Sequence, residues 1–414
     1  MRRKTQAARR ARMIRRFRRK RMPAVPLLKR RQPEPPKPVV VEKEIPVQPA
    51  PRPSPRRQIL FCPGPVNTTP HVHAALGGPD LCHREPEFAD MLQTIRAKLV
   101  HALGLDHRYS AVVISGSGTA ALEAGLVASM DSGHNKLLVV NNGVYGSRIA
   151  QIARIHQIPV VEIRSPVTER PDLSRLSAAL KRDRQIGTIA MVHHETSTGM
   201  LNPVEEVGLV AKKFRKRFFL DAISSIGGER LDLAKSGVAI CAGSAGKCLH
   251  GAPGLSFVLI AQEEMSRVAK LKPRSLYLDL ALHMKAQEEG EPPFTPAVPL
   301  VAAFHAALDE LVREGVKNRV ERYRERAVML RTGFKKMGLK PVLDEKLQSN
   351  SLTALWVPPG KEYKTIHHAL KKAGFIIYAG QSELKGKILR VAHMGQLLQS
   401  DLKDFLRALK EVSV

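Results

Sequence analysis

Four short stretches combine residue types that do chemistry, and each lies at the end of an apolar, strand-like run. Gly116-Ser117-Gly118-Thr119 follows SAVVIS and opens a stretch of helical spacing. Small residues at such a turn let backbone N–H groups approach an anion, and a helix amino terminus favours phosphate. The stretch is not a P-loop, since GxxxxGK[ST] is absent, and alone it reads equally as a tight turn. Asp221 stands at the tip of RFFLDA, where a carboxylate either caps the next helix or faces a ligand. Lys247 lies in Ser244-Ala245-Gly246-Lys247-Cys248, among residues of little bulk. Most lysines are surface cations, whereas one desolvated in a cleft has a depressed pKa and attacks carbonyls. His193-His194-Glu195-Thr196-Ser197-Thr198-Gly199 suggests metal by residue type alone. Adjacent strand residues point to opposite faces, however, and HExxH spacing is absent, so no metal is expected.

The elements that must position these residues are legible in the pattern. Strand-like runs at 110–115, 136–140, 159–163, 188–193, 217–222, 237–243 and 255–260 alternate with helical stretches such as EFADMLQTIRAKLVHAL and GSRIAQIARIHQ. That alternation predicts an α/β fold with a mostly parallel sheet covered by helices. From about Val301 a long helical segment leads to the short strands LTALWV, FIIYAG and ILRVAH, an α+β arrangement. The expected organisation is a tail at 1–57, a large domain at 58–300 with an amino-terminal arm, and a smaller domain at 301–414. Ligands in open parallel sheets sit outside the carboxyl ends of the strands, where all four stretches should lie. A phosphate cradle, an acid, and a lysine 26 residues after it on the next strand form the set that pyridoxal 5'-phosphate requires.

Composition limits the partners. The net charge is +29, but residues 1–57 hold 20 Lys and Arg against 3 Asp and Glu. The remaining residues hold 47 against 35, which is only moderately basic. Twelve of the first 22 residues are basic, and eleven prolines follow in residues 23–57. This predicts a disordered tail, with non-specific polyanion contact or organelle targeting as alternatives to a solvated segment. No apolar run reaches 18 residues, so no membrane span is expected. Cys62, Cys82, Cys241 and Cys248 show no CxxC or metal spacing, and a reducing, cytoplasmic setting follows.

From about Ile59 to the carboxyl terminus the chain resembles the class V, fold-type I, pyridoxal-phosphate aminotransferases. The resemblance runs through CPGPVNTTP, HREPEF, GSGTAALEA, NNGVYGSR, VHHETSTGMLNPVEEVG, FLDAISSIGG, SAGKCLHGAPGLSFV, RSLYLDL, FIIYAG and LRVAHMG. Within the family it is most similar to the 2-aminoethylphosphonate–pyruvate transaminases. The resemblance implies a homodimer and a small-molecule amino donor with a 2-oxo acid acceptor. It leaves open alanine– or serine–glyoxylate transamination, which shares the cofactor motifs. Lys247 would be the Schiff-base lysine and proton shuttle, and Asp221 the partner of the pyridine nitrogen. Ser117, Gly118 and Thr119 would bind the phosphate, Tyr145 would stack on the ring, and Thr196 would lie near the phenolic oxygen. Arg390 would clamp the anionic end of the substrate, a task suited to a guanidinium fork. Two departures predict weaker cofactor retention. Gly246 stands where relatives often carry Asn or Gln, and residues 294–299 (FTPAVP) lack a hydroxyl beyond Thr295, where relatives often have one.

Overall fold

The apolar runs pair into one seven-stranded sheet in the computed structural model, which describes residues 58–131 and 135–413. The expectations for residues 1–57 lie outside the described residues. From edge to edge the strands are Tyr109–Ser115, Leu255–Ala261, Ile240–Ser244, Arg217–Asp221, Ile186–Val192, Lys136–Asn141 and Val160–Arg164. Neighbours pair in parallel except where Leu255–Ala261 runs antiparallel to both flanking strands. The strands are apolar on both faces because both faces are covered. Phe218, Leu220, Phe257 and Leu259 enter one core with Phe88, Leu92, Phe304 and Leu308 from helices Pro86–Ala102 and Val298–Glu314. Their neighbours Phe219, Val258 and Ile260 enter the opposite core with Leu122, Leu126 and Ile149 from helices Gly118–Ala128 and Val144–Ile155. The period of two is what sends consecutive residues to different layers.

A second, three-stranded antiparallel sheet runs Leu352–Trp356, Ile388–Ala392, Tyr378–Ala379. Helices Val316–Lys336, Tyr363–Lys372 and Gln399–Ser413 pack there through Leu330, Phe334, Ile366, Leu370, Phe405 and Leu409. Two details differ from the sequence pattern. The long helical segment is split at Gly315, whose φ of 79° ends Val298–Glu314 and starts Val316–Lys336. FIIYAG is divided too: Phe375–Ile376 pairs in parallel with Ile59–Leu60, while Tyr378–Ala379 pairs with Arg390 and Leu389. The first described strand is therefore tied to the carboxyl-terminal elements, and Phe61 stacks on Phe405 at 4.1 Å. Among the described residues no helix is long and apolar enough to cross a membrane.

Candidate active site

A cavity of about 180 Å³ opens at the carboxyl ends of strands Ile186–Val192 and Arg217–Asp221, against the start of helix Gly118–Ala128. Ser117, Gly118, Thr119, Tyr145, Asp221 and Lys247 all line it, so six of the eight residues singled out in the sequence meet there. The helix begins immediately after Ser117, whose side chain caps none of the backbone donors. The first N–H groups of a helix have no partner within it and carry its positive end. Gly116 has a φ of 153°, a conformation other residues rarely adopt. An added Cβ at Gly118 would come within 3.0 Å of the Ile223 side chain. The glycines thus make the turn and bring the backbone to the cavity wall.

Asp221 is 4% exposed, and its Oδ1 accepts a hydrogen bond from the Ile223 N–H at 3.0 Å. It therefore braces the turn after its strand rather than capping a long helix. Burial pushes its pKa up to about 7, and the nearby Glu195 adds to the rise. Among the described residues no cation lies within ion-pair distance of Asp221. Lys247 donates from Nζ to the carbonyl of Pro63, and burial lowers its pKa. The Cβ of any residue replacing Gly64 would meet that Nζ, so the segment CPGP packs directly on the lysine. Burial thus disfavours the charged form of both groups, which suits the amine to a carbonyl and the acid to a basic nitrogen.

Thr196 and Arg390 sit beside this group and not in its lining. Arg390 is 3% exposed, and its Nη1 donates to the Thr196 carbonyl at 3.0 Å and to Gln381 Oε1 at 3.3 Å. Its Nε donates to the Ala379 carbonyl at 2.7 Å, and the Tyr145 side chain lies within electrostatic reach. Burial lowers its pKa. Among the described residues every hydrogen-bond partner of Arg390 is uncharged, so its positive charge remains available to an anion.

Sequence reasoning missed several contributors. His194 lines the cavity beside Lys247, and His193 opens toward a different cavity, as opposite-facing strand neighbours must. His194 Nδ1 lies 3.2 Å from the Ser224 carbonyl, which can only accept, so Nδ1 carries the proton. Its Nε2 is left as a buried acceptor without a partner, and burial holds the ring pKa near 4. Period two from Val192 was the signal that could have found it. Glu195, fully buried, accepts from the N–H groups of Tyr145 at 3.0 Å and Gly146 at 3.2 Å and from Ser197 Oγ at 2.5 Å. It fastens the helix bearing Tyr145 to the strand end. Arg148, also in the lining, had no signal in the sequence. Gly246 has a structural reason: a Cβ there would lie 2.9 Å from the Pro253 backbone Cα, so an amide side chain does not fit without moving the chain.

The profile of the aminotransferase class-V family matches residues 71–396. The chain is 36% identical over 360 residues to a 2-aminoethylphosphonate–pyruvate transaminase of Klebsiella pneumoniae, covering 86% of this chain and 97% of that protein. It is 37% identical over 368 residues to the same-named protein of Syntrophobacter fumaroxidans, covering 87% and 98%. Among solved structures, an alanine–glyoxylate aminotransferase of Nostoc superimposes with a TM-score of 0.83 at 27% identity, over 88% of this chain and 97% of that one.

Proposed function

We infer the function from one premise: this chain belongs to the class-V aminotransferase family. It is an enzyme of that family, and its cofactor is pyridoxal 5'-phosphate. The cavity residues fit that group by their chemistry. The uncapped helix start supplies donors for a phosphate, the unpaired Asp221 suits a protonated ring nitrogen, and the unprotonated form of Lys247 suits an aldehyde. Val192, Leu122 and Ile223 supply apolar walls for an aromatic ring.

Bound there, the cofactor supplies an electron sink for the pair left when the substrate Cα loses its proton. Ser117, Gly118 and Thr119 hold the phosphate. Asp221 would keep the ring nitrogen protonated, Tyr145 would supply an aromatic wall, and Thr196 would serve the phenolic oxygen. Lys247 would hold the aldehyde through Nζ, and the same amine would serve to carry a proton to and from the substrate Cα. Arg390 would hold the anionic end of the donor with a charge that, among the described residues, no carboxylate pairs with.

The reaction supported best is transfer of the amino group of 2-aminoethylphosphonate to pyruvate, giving phosphonoacetaldehyde and L-alanine. The observation that carries it is the 36–37% identity to proteins of that name over nearly their whole length. Alanine– or serine–glyoxylate transamination is the second reading, favoured by the Nostoc superposition. A donor screen decides between them, with 2-aminoethylphosphonate, alanine and serine against pyruvate and glyoxylate. The highest kcat/KM is expected for 2-aminoethylphosphonate with pyruvate, and a faster alanine or serine reaction with glyoxylate would replace that reading. A cytoplasmic homodimer, divided near residue 300 into a large and a smaller domain, completes the proposal. An active monomer in sedimentation would remove the dimer from it.

A further inference from the structure

Arg390 meets a donor with a single positive charge, and much of its fork is already engaged by Ala379, Thr196 and Gln381. One guanidinium matches a carboxylate. A phosphonate resembles a phosphate monoester, which carries about 1.5 to 2 negative charges near neutral pH. Burying the second charge without a cation is costly, so a phosphonate donor calls for another positive group within the same opening. Lys247 is committed to the cofactor, and Arg164 is tied to Glu162 at 3.1 Å.

Arg148 is the cation left over. It lies one turn beyond the start of helix Val144–Ile155 and is half-buried. Its Cζ sits 4.8 Å over the Tyr145 ring, a cation–π contact. Among the described residues no carboxylate lies within ion-pair distance of it. Tyr145 also lies within electrostatic reach of Arg390, so both guanidiniums neighbour one tyrosine. Arg148 lines the cofactor cavity and also a neighbouring cavity of about 460 Å³. Gln381, which Arg390 holds, lines that second cavity, as do the polar Ser147 and Ser197 and the exposed Glu383. Arg148 and the Gln381 held by Arg390 therefore line one opening.

We propose that Arg148 is a substrate-binding residue that pairs with Arg390 to select donors whose acidic group is a dianion. This rests on the phosphonate reading above and assigns the residue that would distinguish phosphonate from carboxylate donors. The test compares cofactor-loaded wild type, Arg148→Gln and Arg148→Lys, using the ratio of kcat/KM for 2-aminoethylphosphonate to that for alanine. Arg148→Gln is expected to lower the ratio by about 30-fold, roughly 2 kcal/mol, with Arg148→Lys recovering part of it. The rise of kcat/KM for the phosphonate through its second ionisation, near pH 6 for phosphate monoesters, should flatten in Arg148→Gln. An unchanged ratio and pH profile would overturn the assignment. Should wild type not use 2-aminoethylphosphonate at all, the reaction reading fails, and calorimetric binding of ethylphosphonate against propionate to the same proteins decides this one. Preference for ethylphosphonate that Arg148→Gln abolishes supports it, and equal binding of both anions in wild type overturns it.

Discussion

At the scale of single residues, Asp221 and Lys247 were readable because chemistry and position coincided, each standing at the end of an apolar strand. Their environments supply what the sequence could not. Burial raises the folded-state pKa of Asp221 to about 7, whereas an unfolded aspartate titrates near 3.9. Between those values the folded chain holds a proton that the unfolded chain has released, so rising pH disfavours the folded state. The slope is up to about 1.4 kcal/mol per pH unit, and it levels off above about pH 7. In the cofactor-free protein, Asp221→Asn should therefore gain stability relative to wild type from pH 4 to 7 and then hold a constant margin. Denaturant midpoints across that range measure it, and a margin independent of pH would mean Asp221 is not desolvated. With cofactor bound, the same variant should lose more than tenfold in turnover, because the ring nitrogen loses the group that keeps it protonated. Arg148 illustrates the opposite case. Nothing in NNGVYGSR marks its arginine, and only the contact with the Tyr145 ring and the two cavities give it a role.

At the scale of elements, the alternation of runs was enough for the sheet, while the joints between elements were not legible. Glu195 is the clearest instance. A glutamate at a strand end suggested metal by type, yet its carboxylate receives the backbone of a helix some fifty residues earlier. No local pattern encodes a cap supplied from so far away. Glu195→Ala should cost about 2–4 kcal/mol, since it strands the Tyr145 and Gly146 donors and empties a packed position. Glu195→Gln should cost less, because one acceptor remains. Thermal unfolding of the two variants checks the order, and a Glu195→Gln loss as large as that of Glu195→Ala would contradict it. Gly143 records the same contact, since a Cβ there would fall 2.3 Å from the Glu195 Cδ. The break at Gly315 and the division of FIIYAG were hidden for a related reason. Helical spacing continues across the glycine, and the partners of Phe375 and Tyr378 lie in distant segments.

At the scale of the whole molecule, the charge census separated residues 1–57 from the remainder, and the described structure begins with a strand just after that division. Ile59 and Leu60 pair with Phe375 and Ile376, and Phe61 stacks on Phe405. A chain beginning at Gln58 should keep its catalytic constants within about twofold, roughly 0.4 kcal/mol. One beginning at Pro63 should lose stability, because it removes that strand and the buried ring of Phe61. Any binding of the full chain to polyanions should weaken steeply with salt and disappear in the shorter chain, if the tail is what binds. Lost turnover in a folded chain starting at Gln58 would place part of the tail in the active site or at a subunit contact.

The central claim is that the cavity at the sheet edge holds pyridoxal 5'-phosphate through Lys247. Borohydride reduction of the purified protein, followed by peptide mass mapping, tests it directly. The expected result is one phosphopyridoxyl-bearing lysine at position 247, absent from Lys247→Ala. A label on another lysine, or its persistence in Lys247→Ala, would contradict the account.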